Sequence, residues 1–374
     1  MQQQKTHLIS DELTTLTGGS EFFPAGRAAT ALYWAYLTII KSNGNIPDPE
    51  IILPGLSCGT PSNAAIMAGL TPRYADVSRE TGLLSLDTIK SVYTDRTLAV
   101  VCIHLYGETM ALDEIRKWCD EKNVALIEDL AHAVGGLLPG GKAAGSYGDY
   151  CIYSFNKTKI LESGGGALLV KSRKNAALAG EIIASEKINE ADPALLGQLS
   201  ASYRNLHHSL VALQRNELLP DASAVFLAVR KSYEPLFLRN YHGNEELLEE
   251  EWTNLGANLA GRMKKARIYK TLLKREDVHL LDGWESSGVC WRFSFLLPDP
   301  ALTVPVCEAV RKDGYHVSNL YWPVNLFFRP ADECPGALHI AKSIVNLWVD
   351  KNISEKDVEG CGLSLIRHLH KRQN

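Results

Sequence analysis

The stretch Val124-Ala-Leu-Ile-Glu-Asp-Leu-Ala-His132 and, downstream of it, Tyr150-Cys-Ile-Tyr-Ser-Phe-Asn-Lys-Thr-Lys159 decide how this chain folds. Each begins as an unbroken apolar run and then turns polar. Asp129 ends the first run, and Lys159 lies in the loop after the second. A strand that is apolar at nearly every position is buried on both faces, as in a parallel sheet covered by helices. Similar runs recur at residues 51–54, 73–77, 99–104, 124–128, 150–155 and 167–170. Helical patterns separate several of them, including 113–122 and the stretch 27–37 opened by Gly26. This alternation predicts an α/β fold, a mostly parallel sheet sandwiched by helices. Ligands of such sheets sit beyond the carboxyl ends of the strands, where Asp129 and Lys159 both project.

A carboxylate and an amine so placed are what pyridoxal phosphate (PLP) requires. The amine bonds covalently to the cofactor's aldehyde, and the carboxylate keeps the pyridine nitrogen protonated so that the ring serves as an electron sink. Each residue also has a plainer reading. Lys159 could be a surface loop lysine, and Lys157 is a rival amine. Asp129 could be a helix N-cap after a strand. Glu128 faces the other way at the strand end and reads as structural.

Downstream, residues 171–275 read as mostly helical, with a long Pro-free helix pattern over 254–273. Its Lys264, Lys265, Arg267 and Lys270 read as a solvated face. A strand at 289–297, a helix at 304–313 ending at Gly314, a strand at 316–322 and a final helix at 354–370 predict a small α+β unit. The expected division is 1–250 for a large cofactor-binding α/β domain and 251–374 for a small C-terminal domain. A chain of 374 residues can bury a core of that extent. Net charge is −4, with no single-sign block that would favour nucleic acid. No apolar run approaches the roughly 20 residues of a membrane span, and the polar start Met1-Gln-Gln-Gln-Lys-Thr lacks a signal-peptide core. Eight scattered cysteines form no C-x-x-C pair, which argues for a reducing cytoplasm and against a zinc site.

Five segments then occur in order: Ile52-Leu-Pro-Gly-Leu-Ser-Cys58, His104-Leu-Tyr-Gly107, Ile127-Glu-Asp-Leu-Ala-His-Ala133, Gly145-Ser-Tyr-Gly-Asp149 and Ser154-Phe-Asn-Lys-Thr-Lys159. In order and spacing the chain resembles the DegT/DnrJ/EryC1/StrS family of PLP-dependent sugar aminotransferases. The resemblance runs nearly end to end, is strongest over 49–170, and fades over 190–250. It implies the fold of aspartate aminotransferase and a homodimer with shared active sites. It makes Lys159 the lysine that links PLP and shuttles the substrate proton, and Asp129 the partner of the pyridinium nitrogen. His132 stands where the family has Gln or His beside the PLP phenolic oxygen, or is simply a satisfied buried histidine. Ser154 would donate to the PLP phosphate, as would backbone N–H groups of the turn Gly26-Arg27-Ala28 at a helix start. Arg27 either adds charge there or points to solvent. Gly164-Gly-Gly166 lets backbone pass close to the cofactor or simply turns the chain.

Departures from the family matter as well. Cys58 stands where an aromatic ring often stacks on PLP. The acidic residue of the family's G-E-G-G turn is missing. The phosphate-binding Asn that many members supply from the partner subunit has two candidates, in Arg204-Asn205 and Arg239-Asn240. The segment 314–323 looks like the family's substrate-side strand, with Trp322 a pocket candidate. The activity implied is transfer of an amino group from an amino acid, L-glutamate, to a nucleotide-linked keto-sugar in polysaccharide or natural-product biosynthesis. Two alternatives stand beside it. One is a deoxysugar lyase or dehydratase, whose relatives replace the lysine by histidine. The other is a non-catalytic regulator of the same fold.

Overall fold

Seven strands form the larger sheet in the computed structural model, which describes residues 7–188, 192–241 and 243–373. The polar start Met1 to Thr6 lies outside the described residues. The strands are β1 (Glu21–Ala25), β2 (Glu50–Pro54), β3 (Thr71–Ala75), β4 (Thr97–Ile103), β5 (Ala125–Asp129), β6 (Tyr150–Ser154) and β7 (Gly166–Val170), in the order β1-β7-β6-β5-β4-β2-β3. The run from β3 to β6 is parallel, while β7 is antiparallel to β6 and β1 antiparallel to β7. Every residue of β2, β4, β6 and β7 is buried, which is the physical reason these strands are largely apolar, with Glu50, Thr97 and Ser154 at their ends. Helix Ala28–Asn43 covers β6 and β7, burying Leu32, Ala35, Tyr36 and Ile39.

The apolar pattern did not announce β1. Glu21 and Pro24 are exposed in it, and a proline is tolerated because β1 is an edge strand paired on one side only.

A smaller antiparallel sheet follows, made of β8 (His279–Leu281), β9 (Phe293–Leu296), β10 (Val317–Ser318) and β11 (Ile344–Leu347), in the order β10-β11-β9-β8. Helices Leu255–Leu272, Thr303–Lys312 and Glu355–Gln373 pack around it, and a second core gathers Tyr269, Trp284, Phe293, Phe295, Val306 and Leu365. Two expected strands are shorter than the pattern suggested, for one shared reason. Of 289–297 only β9 stays in the ladder, and Trp291 leaves it to join the larger core. Of 316–322 only β10 stays; Trp322 packs into the larger core, and Pro323 bridges to Leu56. Both segments therefore cross from the small sheet to the carboxyl end of the large one. β11 follows helix Pro335–Ser343 with no Gly or Pro between, so no turn signal marked it.

The lysines of helix Leu255–Leu272 are tethered as well as solvated. Lys264 pairs with Glu355 at 2.6 Å, Lys270 with Asp282 and Glu285, and the Lys265 ammonium donates to the Asp350 carbonyl at 2.6 Å. No described helix is long and apolar enough to cross a membrane.

Candidate active site

Strand register brings the predicted residues together. Asp129 of β5 lies between Ile103 of β4 and Ile152 of β6. Two residues on, Ser154 pairs with Gly166 of β7, which pairs with Ala25 of β1. Neighbouring strands are about 4.8 Å apart, so the turn Gly26-Arg27-Ala28 arrives beside Ser154. The fit needs glycine at two points. A Cβ on Gly166 would lie 2.6 Å from the Ala28 nitrogen, and one on Gly26 would lie 2.0 Å from the Asn240 carbonyl oxygen.

Arg27 is the N-cap residue of helix Ala28–Asn43, and no side chain caps that end. Its guanidinium donates to the Leu236 carbonyl at 3.1 Å, and Arg239 donates to the Gly26 carbonyl at 3.1 Å. Burial, with Arg239 adding to it, pushes Arg27 down to about 10. Among the described residues neither arginine has a carboxylate partner. Cys58 and Tyr203 lie near the same guanidinium, and Cys58 is exposed. Ser154 is buried, and its hydroxyl makes no hydrogen bond with the described residues. Two cations, a free hydroxyl and a helix start thus form an anion cradle. Of the two Arg-Asn pairs read from the sequence, Arg204 and Asn205 are exposed, and only Arg239-Asn240 reaches this corner, from the same chain.

Lys159 sits in the loop between β6 and β7, closed at its base by Phe155 N–H to the Gly165 carbonyl and Gly164 N–H to the Phe155 carbonyl. Thr158, just before it, has φ of 78°, a left-handed conformation that a β-branched residue rarely adopts. Its N–H donates to Glu162 at 2.5 Å, and its carbonyl accepts from the Trp291 indole at 2.8 Å. The bend delivers Lys159 inward, its Nζ 2.8 Å from Nε2 of His132, while Lys157 is exposed.

The hydrogen bonds assign the protons at this contact. His132 Nδ1 accepts from the Tyr106 N–H at 3.3 Å, and burial keeps the ring well below the ordinary histidine range, hence neutral. The ring proton is therefore on Nε2, pointing at Lys159, and only an uncharged amine can accept it. Burial also lowers Lys159, and Arg292 adds to this while Asp129 and Cys58 oppose it. Burial and the His132 contact both favour the uncharged amine over the ammonium.

Asp129 is buried, and its Oδ1 accepts from the Ala131 N–H at 2.9 Å. Burial raises its carboxyl above the ordinary range, and the Ala131 bond and Lys159 pull it partly back. A carboxylate in this condition is stabilised by any cation placed against it.

Several residues of the site were not singled out from the sequence. Trp291 stacks on His132 with centroids 3.8 Å apart and planes 9° apart, and Tyr321 lies 6.2 Å from His132, nearly parallel to it. The Tyr106 hydroxyl donates to the Leu320 carbonyl and accepts from the Tyr321 N–H at 3.1 Å. Arg292 lies with its guanidinium carbon 4.8 Å from the Trp291 ring centre and 3.2 Å from that of Trp348. Arg262 is almost fully buried, and it donates to the Trp291 carbonyl at 3.1 Å and the Lys159 carbonyl at 3.3 Å. It shares a helical stripe with buried Ala266 and Tyr269, the one signal that could have marked it.

Glu128 supports the site without facing it. His104 Nδ1 accepts from the Met110 N–H, so its Nε2 carries the proton and donates to Glu128 at 3.1 Å. The same carboxylate accepts from the N–H groups of Gly145, Tyr147 and Gly148. Burial alone would raise Glu128, but His104 and these donors outweigh it and leave the carboxyl below its ordinary range. Glu128→Leu should destabilise the fold by about 3–5 kcal/mol, since it strands buried donors; urea unfolding checks this, and a loss under about 1 kcal/mol would contradict the role. A depressed carboxyl stabilises fully above its unfolded value, roughly 4.3. That contribution fades as pH falls through the lower folded value.

Residues 12–188 match the model of the DegT/DnrJ/EryC1/StrS aminotransferase family. GDP-perosamine synthase of Escherichia coli O157:H7 is 33% identical over 144 residues, 38% of each chain. The Vibrio cholerae GDP-perosamine synthase is 32% identical over 123 residues, 33% of each. The chain thus matches little more than a third of the length of these curated relatives. Among solved structures, the Helicobacter pylori PseC aminotransferase involved in the biosynthesis of pseudoaminic acid superposes with a TM-score of 0.77, covering 98% of this chain and 92% of its own at 15% identity. That likeness establishes the fold.

Proposed function

We propose that this chain, whose residues 12–188 belong to the DegT/DnrJ/EryC1/StrS aminotransferase family, is a PLP-dependent aminotransferase. It takes the amino group of an amino acid, L-glutamate, and delivers it to a nucleotide-linked keto-sugar. The observation that carries this reading is the Lys159 amine, its pKa lowered by burial, held 2.8 Å from His132 beside the buried carboxyl of Asp129. The donor set fits PLP. Arg27, Arg239, Ser154 and the Ala28 N–H would hold the phosphate, Asp129 the ring nitrogen, and His132 Nε2–H the phenolic oxygen. When bound, PLP supplies the electron sink that lowers the barrier to removing the proton from the amino-acid α-carbon. Lys159, its pKa lowered by burial, would carry that proton as the base. Trp291 and Tyr321 screen the proton path from water, and Arg262 fixes the Lys159 and Trp291 backbones relative to each other. Lys159 itself disfavours the lyase alternative, since relatives of that kind carry histidine there.

A homodimer in the cytoplasm belongs to the same reading. Leu213, Leu218, Val225, Leu227 and Val229 are exposed on or beside helices Pro193–Arg215 and Ser223–Arg230, as an interface surface would be. All eight cysteines are free, as suits a reducing compartment.

The amino donor brings a carboxylate, and Arg292 is the buried cation suited to receive it. Its ion pair with Asp350 is long, 3.7 Å, and its Nε has no hydrogen-bond partner among the described residues. Arg292→Gln should raise KM for L-glutamate about 10- to 100-fold, the worth of a charge-assisted contact, with kcat falling less. An unchanged KM would remove Arg292 from donor binding.

The test of the whole reading is a visible absorbance spectrum of the protein incubated with PLP, before and after L-glutamate. A band that appears with PLP and bleaches with glutamate supports it. No band at any PLP concentration would sink it and favour the regulator alternative.

A further inference from the structure

The backbone around Lys159 is clasped by residues far along the chain. The Thr158 carbonyl accepts from the Trp291 indole at 2.8 Å, the Lys159 carbonyl from Arg262 at 3.3 Å, and the Ile160 carbonyl from the Asn258 amide at 2.8 Å. Asn258 in turn accepts from Arg262 Nε at 2.9 Å, one helical turn on. The N–H groups of the same loop end on two carboxylates. Thr158 donates to Glu162 at 2.5 Å, and the Glu162 N–H donates to Glu251 of helix Glu245–Thr253. Glu251 is buried, and its other oxygen takes the ammonium of Lys351, just beyond the end of β11 in the small sheet.

Thr158 is the residue that needs such support. Left-handed backbone at a β-branched residue persists only where the surroundings over-determine it. Thr158 is exposed, so packing of its own side chain does not hold it. Its N–H is fixed by Glu162, and Glu162 is fixed by Glu251. A buried carboxylate is stable only when paired and hydrogen-bonded, and Glu251 meets both conditions at the base of this bend. The amine itself faces His132, Asp129, Cys58 and Arg292, whereas Glu251 meets the loop at the Glu162 N–H.

We propose that Glu251 and Glu162 are positioning residues for Lys159, a relay of two carboxylates that holds the Thr158 bend and keeps the amine against His132. This rests on the aminotransferase reading above. The segment that supplies Lys351 also supplies Asp350, the partner of Arg292, so the relay ties the lysine to the side of the site proposed to receive the donor's carboxylate.

Competitive labelling of lysines with acetic anhydride across pH, in the protein without PLP, reads the midpoint at which Lys159 becomes a free amine, with exposed Lys157 as internal reference. Glu251→Ala and Glu162→Ala should each raise that midpoint by about one unit or more, toward the ordinary lysine value near 10.4, as the amine turns into water. Glu251→Gln, whose amide oxygen still accepts the Glu162 N–H, should largely restore it. Loss of a carboxylate acting through space would lower the midpoint instead, because a nearby anion favours the ammonium. In the PLP-loaded protein the alanine variants should lose kcat roughly 10-fold or more with KM for L-glutamate unchanged. Glu162 is only half-buried, so Glu162→Ala decides the matter if Glu251→Ala fails to fold. A midpoint unmoved or lowered in Glu162→Ala, or a Glu251→Gln that behaves as Glu251→Ala, would overturn the relay. The two readings fail separately. A PLP band that glutamate bleaches, with an unmoved midpoint, sinks the relay alone; a raised midpoint in protein that shows no PLP band sinks the aminotransferase.

Discussion

Lys159→Ala should abolish covalent retention of PLP and cut transamination by at least about 10³-fold, whereas Lys157→Ala should leave both intact. The two lysines are separated by one residue in sequence and by the whole of their environment. Lys157 is exposed. Lys159 is turned inward by the left-handed Thr158, and its amine is within hydrogen-bond distance of His132. An amine that burial disfavours as the ammonium is closer to the nucleophile that attack on an aldehyde demands, and the exposed Lys157 has no such setting. Loss of Lys159 removes both the covalent anchor and the base that moves the α-proton, and general-base loss alone costs roughly 10²–10⁴-fold. The decisive readout is borohydride trapping followed by peptide mapping. Label on Lys159 in the unmodified protein, and its absence in Lys159→Ala, are expected. Label on Lys157 would place the wrong lysine in the site. Exogenous methylamine should restore part of the glutamate half-reaction in Lys159→Ala, which a merely unfolded variant would not show.

The strands that carry the proposed site residues were legible because burial on two faces forces continuous apolar runs, and because a run that breaks into Asp or Lys marks a carboxyl end. β4, β5 and β6 follow from that alone, and with them the places of Asp129 and Lys159, while Ser154 was marked by the family resemblance. What remained unread came from parts of the chain that obey other rules. β1 hides behind Pro24, which only an edge position allows. Trp291, Arg292 and Tyr321 belong to segments that begin as strands of the small sheet and then leave it; alternation describes a ladder and says nothing of where a chain goes once it departs. Arg262 reads as one more cation in a basic helix until the 262, 266, 269 stripe is counted. The Arg27–Arg239 pairing joins residues from distant parts of the sequence through the close approach of Asn240 to Gly26, a contact with no periodic trace. Glu128 was read correctly as structural from its side of the strand, although its four donors were not foreseeable.

Asp129→Asn should leave the fold intact, weaken PLP binding and reduce turnover by about 10³-fold or more, and its stability should reveal why. The asparagine side-chain oxygen can still accept the Ala131 N–H, so the strand end keeps its local bond. What disappears is the negative charge. In the protein without PLP that charge is a liability, because burial raises the Asp129 carboxyl above its unfolded value. A raised acid binds its proton more tightly in the folded state, so it contributes nothing below both values and destabilises as pH rises through the window between them. The variant without PLP should therefore be at least as stable as the unmodified protein at neutral pH, with the difference closing as pH falls below the ordinary carboxylate range. With PLP the order reverses. A protonated ring nitrogen against Asp129 offsets the buried charge, and each pKa unit by which the pair favours ionisation is worth about 1.4 kcal/mol. PLP should thus raise the melting temperature of the unmodified protein more than that of Asp129→Asn, since stabilisation follows affinity. Melting curves across pH, with and without PLP, separate this from a structural role, which would lower stability in both states. Near-normal turnover in Asp129→Asn, or a PLP shift equal to that of the unmodified protein, would dissociate Asp129 from the ring nitrogen.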